Sequence, residues 1–240
     1  MTGGRRSRPP NRLPMQAIHP AIEPTEDGSP TLRHPVFGET YHSLHGAVAE
    51  ARHVFIAGGL KRCPLPHVHI LEAGFGSGLN AWLTLREAEE SGRTVWYTAV
   101  EAYPVDIRTA EALRYADDPL FGALHRAPWG EPTEITPRFR LEKRAEDLVF
   151  ARMDAIFDII YFDAFAPDTQ PELWTEGLFR KLFAQTAPGG ALVTYSAKGT
   201  VKRALRAAGY EVTRLPGAPG KRHMVRAVRP RKNESDANLK

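Results

Sequence analysis

The 240-residue chain has a single cysteine, Cys63. One thiol cannot close an internal disulfide, so the covalent framework gives no sign of an oxidising compartment. No run approaches the roughly 18 consecutive apolar residues that span a bilayer. Residues 1–11 are rich in Arg and Pro but lead into no apolar stretch, which argues against a secretory signal. Internal repeats and long low-complexity linkers are also missing. One domain of a cytoplasmic protein is the expectation, with a monomer suggested by size alone. Nine histidines are present, yet His67-Val68-His69 and the scattered others make no metal-ligand spacing with one Cys, so no metal is expected. Ser77 and Ser196 have no evident His–Asp partners, which leaves nucleophilic hydrolysis unsupported.

Acid is scarce in one segment. Between Lys198 and Val228, eight Lys or Arg stand against Glu211 alone. Residues 1–12 hold four Arg and no acid. The chain carries only +4 in total, so its middle is net acidic. A concentrated basic region on an acidic body suits a local phosphate-binding surface, although a solvated helix face would look the same.

Residues 1–13 and 230–240 read as disordered basic tails, with little to bury. Residues 14–66 form an elaboration ahead of the main sheet. In it, Asp27-Gly28-Ser29-Pro30 is a turn between two extended pieces, and Val48–Ile56 reads as a helix with Val48, Arg52 and Phe55 on one face. From residue 67 to 229 the pattern is regular. Strands are expected at Val68–Ala73, Val95–Val100, Phe139–Glu142, Ile156–Phe162, Ala191–Ser196, Tyr210–Leu215 and His223–Val228. Helices are expected at Leu79–Ala88, Pro104–Tyr115, Glu172–Ala187 and Val201–Ala208, the third stopped by Pro188-Gly189-Gly190. Alternation of this kind implies an α/β fold with a parallel sheet buried on both faces. The last two strands, joined by a short Gly/Pro loop, must be antiparallel neighbours. A mostly parallel seven-stranded sheet ending in such a hairpin is the Rossmann-like arrangement of class I methyltransferases.

Glu72-Ala73-Gly74-Phe75-Gly76-Ser77-Gly78-Leu79-Asn80 lies between a strand and a helix. Glycines there let the backbone turn and approach a ligand at the carboxyl edge of the sheet. The spacing lacks the last glycine of the dinucleotide pattern, since Asn80 and Ala81 follow Gly78. That favours S-adenosylmethionine over NAD. Glu101 ends the next strand and can accept both ribose hydroxyls. Glu146 and Asp147 follow the third strand; which of them meets the adenine amino group stays open, with Asp147 carried forward. Asp163 ends a buried apolar strand in the same row, a costly place for an acid without a partner. If the acceptor is an amine, Asp163 can accept its N–H bonds, aim its lone pair and stabilise the charge that develops on nitrogen. It is not expected to be a strong base. Phe165, Tyr161 and Trp174 are candidates for apolar walls or for core.

Several ordered motifs carry a resemblance. They are Asp27–Pro30, Tyr41-His42-Ser43-Leu44-His45-Gly46-Ala47, His53–Ile56, Leu71–Asn80, Tyr161–Pro167, Gln170–Trp174, Val193–Gly199 and Pro219–Met224. Together they resemble the tRNA 5-methylaminomethyl-2-thiouridine methyltransferases, MnmD, and the methyltransferase half of bifunctional MnmC, from about Glu23 to Ala227. The resemblance implies methyl transfer from S-adenosylmethionine to the aminomethyl nitrogen of a wobble uridine in tRNA, with the anticodon loop as the partner. It places the cofactor on Glu72, Gly74, Gly76, Gly78, Asn80 and Glu101, and the substrate-amine carboxylate on Asp163. Tyr41, Phe165, Lys198, Lys221 and Arg222 fall near the acceptor or the tRNA. His223 stands where the family commonly has an acid. The flavin-dependent oxidase half is not matched, so the aminomethyl form is the expected substrate. A methyltransferase for another amine, or a cofactor-binding module without catalysis, are the competing readings.

Overall fold

The computed structural model describes residues 18–113, 115 and 118–231. The two expected basic tails therefore fall almost entirely outside the described residues. Strands β1 (Ala21–Pro24) and β2 (Pro30–Arg33) pair antiparallel around the turn at Asp27–Ser29. The Asp27 carboxylate accepts from Ser29 N–H, and also bonds the Thr25 and Ser29 hydroxyls. Helix α1 (Ala47–Ala51) then runs into a wider π-helical turn, Arg52–Ala57. This changes the face expected for the segment. Val54, Phe55 and Ile56 are buried together while Arg52 is exposed, because one extra residue per turn rotates it outward.

The main sheet contains β3 (His67–Ala73), β4 (Thr94–Val100), β5 (Thr133–Thr136), β6 (Phe139–Arg144), β7 (Phe157–Phe162), β8 (Thr186–Thr194), β9 (Glu211–Pro216) and β10 (His223–Val228). Its order is β5-β6-β4-β3-β7-β8-β10-β9. The five strands from β6 to β8 are parallel, and β5, β10 and β9 run antiparallel to their neighbours. Helices α2 (Leu79–Ser91), α3 (Ile107–Ala112), α4 (Pro119–Arg126), α5 (Glu176–Gln185) and α6 (Gly199–Ala207) complete the layers. Inward alternation gives each face its own core. Ile70, Tyr97, Phe139 and Tyr161 lie on one side; Leu71, Ile160, Phe162 and Phe179 lie on the other. Strand order reverses at β3, with β4 on one side and β7 on the other, and a crevice opens there at the carboxyl ends.

Three further expectations need correction. The sheet has eight strands, because short β5 pairs with the edge of β6. The helix expected from Pro104 starts only after Asp106, whose carboxylate accepts from the N–H groups of Arg108 and Thr109. A separate helix, α4, follows from Asp118, which caps it with Pro119 in the first turn. Third, Pro188-Gly189-Gly190 is not a helix stop but part of β8. The α5 helix starts at its Thr175 cap and ends at Gln185. Gly189 N–H donates to Arg229 O and Arg229 N–H donates to Gly190 O, so the segment is held as strand by its neighbour. A Cβ on Gly190 would lie 2.8 Å from the Asp158 and Ala187 carbonyl oxygens, which is why glycine is tolerated in this strand.

Candidate active site

The crevice holds a cavity of about 390 Å³. The β3–α2 loop forms one wall. Gly74 has φ +91° and Gly76 has φ +49°, backbone that other residues rarely adopt. A Cβ on Gly76 would lie 2.8 Å from the Tyr41 ring, so the close fit of Tyr41 on this loop also demands glycine. Gly74 and Gly76 line the cavity, whereas Gly78 stands behind it.

Glu101 follows β4 and faces the loop. One carboxylate oxygen accepts from Gly76 N–H at 2.9 Å and the other from Tyr103 N–H at 2.7 Å. Burial pushes its pKa up, and these N–H groups oppose the shift. Each oxygen keeps a lone pair for a ligand, and the orientation is fixed in advance. Glu146 and Asp147 both line the cavity. They differ in what already holds them: the Glu146 carboxylate is bound by Arg144, while Asp147 accepts Val149 N–H through one oxygen.

Asn80, near the start of α2, ties the cofactor side to the acceptor side. Its Nδ2 donates to Glu72 Oε1 at 2.9 Å and to Asp163 Oδ2 at 2.8 Å. Glu72 is fully buried beneath this amide and does not reach the cavity wall. Its carboxyl is held well above the usual range, first by desolvation. It supports the Asn80 amide from below. Asp163 does reach the cavity, just past β7. Burial, with the negative charge of Glu50 next, raises its pKa to about 7, while the Asn80 hydrogen bond and the Lys221 charge pull the other way.

Aromatic rings enclose the space beside Asp163. Phe165 and Tyr41 meet edge to face at 5.1 Å, with His34 and Phe37 packed against Phe165. Tyr195 fixes its hydroxyl on Ala164 O at 2.9 Å. Tyr161 and Trp174, by contrast, are core: Tyr161 is fully buried, and Trp174 packs on Phe162 and Phe179. The expected tRNA-side cations separate. Lys221 enters the cavity and pairs with Glu50. Lys198 and Arg222 are exposed and off the wall, with Lys198 paired to Asp168.

Two residues bear on the site without any motif to announce them. Glu50 is 5% exposed and lines the cavity from α1. Lys143 is 1% exposed behind the glycine loop, where Nζ donates to His125 O at 2.7 Å and lies over the Trp129 and Phe75 rings. Burial lowers its pKa to about 8. Its signal was alternation, since Phe139, Leu141 and Lys143 share one face of β6. Among the described residues, no group of three or more His, Cys, Asp or Glu gathers as a metal site, and no helix is long and apolar enough to cross a membrane.

A family model for S-adenosyl-L-methionine-dependent methyltransferases matches residues 142–230. The tRNA 5-methylaminomethyl-2-thiouridine biosynthesis bifunctional protein MnmC of Aromatoleum aromaticum is 33% identical over 224 residues, covering 84% of this chain and 34% of its own. The protein of the same name from Ralstonia nicotianae is 34% identical over 227 residues, covering 85% and 33%. The chain thus spans about a third of the length of these curated relatives. Among solved structures, MNMC2 from Aquifex aeolicus matches with a TM-score of 0.70 at 25% identity, over 93% of this chain and 76% of that one.

Proposed function

Because the chain belongs to the S-adenosyl-L-methionine-dependent methyltransferases, we propose that it methylates a primary amine, the aminomethyl nitrogen of 5-aminomethyl-2-thiouridine at the tRNA wobble position. The observation that carries this reading is the Asn80 amide, which joins the cofactor loop to the Asp163 carboxylate at 2.8 Å. S-adenosylmethionine fits the residues present: Gly74 and Gly76 line the cavity with no side chain in the way, and Glu101 presents a preoriented carboxylate for the ribose. Asp147, whose carboxylate is not engaged by Arg144, is the better candidate for the adenine amino group. When bound, S-adenosylmethionine supplies an electrophilic methyl group. Asp163 accepts the N–H bonds of the amine, orients its lone pair and takes up its proton. Phe165, Tyr41 and Tyr195 exclude water around it, which strengthens the attraction between carboxylate and ammonium.

The MnmC relatives take their name from a modified tRNA nucleoside, which supports tRNA as the acceptor. Charge supports it too. Arg203 and Arg206 on α6, together with Arg222, are exposed and suit phosphate contacts that position an RNA without reading its sequence. A wobble base in a single-stranded loop is readily splayed out toward a recessed carboxylate. The reading is tested with labelled methyl donor and two tRNA preparations. Label is expected on tRNA with a free aminomethyl group and not on the same tRNA after acetylation of that amine. Equal labelling of both would place the methyl on another atom and end the amine assignment.

A further inference from the structure

Lys221 brings a primary alkylammonium into the cavity from the turn between β9 and β10. Its Nζ is hydrogen-bonded to the Glu50 carboxylate and lies 4.1 Å from the centroid of the Tyr195 ring. Both partners are fixed by other contacts. The second Glu50 oxygen accepts from Ser43 N–H at 2.8 Å, and α1 carries the residue into the protein, where its side chain is 7% exposed. Tyr195 spends its hydroxyl on Ala164 O and so turns its face to the ammonium. A buried carboxylate with an aromatic face beside it is the chemistry that recognises an alkylammonium ion. Lys221 is the looser member, with a side chain 34% exposed on a flexible stem.

From this geometry we propose that Glu50 and Tyr195 form the seat for the acceptor's ammonium group, and that Lys221 occupies it in the free enzyme as an internal competitor. The inference rests on the amine-acceptor reading above and adds the group that recognises the amine before Asp163 acts on it. Leaving Glu50 unpaired in this place would be costly. Exchange of one primary ammonium for another keeps it paired throughout. The exchange also explains why a cation lies in a cavity that has to admit a cationic substrate. A neutral analogue gains nothing by displacing Lys221 and would leave Glu50 without a partner, so the seat selects for charge.

The test separates the seat from the reaction. Lys221→Ala should be stabilised against heat by methylammonium chloride beyond the effect of equal sodium chloride, since ligand that binds only the folded state raises its melting temperature. The double variant Glu50→Gln/Lys221→Ala should lose that difference. Absence of a methylammonium effect on Lys221→Ala would overturn the seat. If Lys221→Ala folds poorly, methylammonium should restore it, and failure to do so counts equally against the proposal. With aminomethyl tRNA, Lys221→Ala should lower KM several-fold and Glu50→Gln should raise it about tenfold or more. A higher KM for Lys221→Ala would make Lys221 a substrate contact and overturn its role as competitor. A methylammonium effect without any tRNA methylation would leave an alkylammonium seat standing and remove the tRNA reading instead.

Discussion

Replacing Asp163 by asparagine is expected to lower turnover by about three orders of magnitude while leaving S-adenosylhomocysteine affinity within a few-fold of the original. The loss combines two roles. A preorganised charge aimed at the reacting nitrogen contributes about 10²–10³ in rate, and proton uptake by a positioned side chain about 10²–10⁴; the two overlap in one residue. The cofactor side is spared because Glu101 and the glycine loop hold their positions through backbone N–H groups that Asp163 does not touch. A calorimetric titration with S-adenosylhomocysteine separates these outcomes. A large loss of affinity would assign Asp163 to cofactor binding.

The raised pKa makes the same residue sensitive to pH. An alkylammonium of pKa about 10.4 gives its proton to an ordinary aspartate near 3.9 at a cost of about 9 kcal/mol, at about 1.36 kcal/mol per pKa unit. To a carboxyl at about 7, the cost falls to about 5 kcal/mol. Burial thus makes Asp163 a better proton acceptor than its residue type suggested from the sequence alone. The sign of the profile follows. Asp163 must be ionised to receive the amine, so kcat/KM should fall as pH drops through about 7. Stability runs the opposite way: a folded-state pKa above the unfolded value near 3.8 favours the folded form at low pH, and that contribution is lost as pH rises from about 4 through 7. Asp163→Asn should therefore melt at a higher temperature than the parent at pH 8, and a lower one would show that the carboxylate is not a burden on the fold.

Glu101→Ala should raise the S-adenosylhomocysteine dissociation constant by about 10²–10⁴. Two hydrogen bonds from ribose hydroxyls to a charged acceptor contribute about 1.5–3 kcal/mol each. Removing the carboxylate also strips the partner from Gly76 N–H and Tyr103 N–H, so the loop that shapes the site loses its brace. The effect should appear in binding without any tRNA present. Unchanged affinity would move the ribose away from Glu101 and with it the orientation proposed for the cofactor.

Three parts of the site legible in the sequence share one property: each stands at the end of an apolar strand. Gly74, Glu101 and Asp163 follow β3, β4 and β7, and strand periodicity locates such positions without a structure. The edge strand β5 escaped because Thr133–Thr136 is short, bracketed by Pro132 and Pro137, and mostly half-exposed. The glycines at 189 and 190 imitate a helix stop, and only pairing with β10 and the residue after it makes them strand. Glu50 and Lys221 are 171 residues apart. No local pattern links them: the resemblance puts Lys221 near the acceptor or the tRNA, but only the fold sets it against Glu50 and over Tyr195. Asn80 was legible as a loop residue, but its bridge from Glu72 to Asp163 depends on two parallel strands lying side by side.

The central claim is that the methyl group goes to an exocyclic amine on the wobble uridine, and nucleoside mass spectrometry tests it directly. The protein is incubated with S-adenosylmethionine and tRNA bearing 5-aminomethyl-2-thiouridine, and the tRNA is then digested and its nucleosides fragmented. The account predicts that this nucleoside gains the mass of one methyl, retained on the aminomethyl side chain. Unchanged nucleoside, or a methyl carried on the ribose or ring, would contradict it.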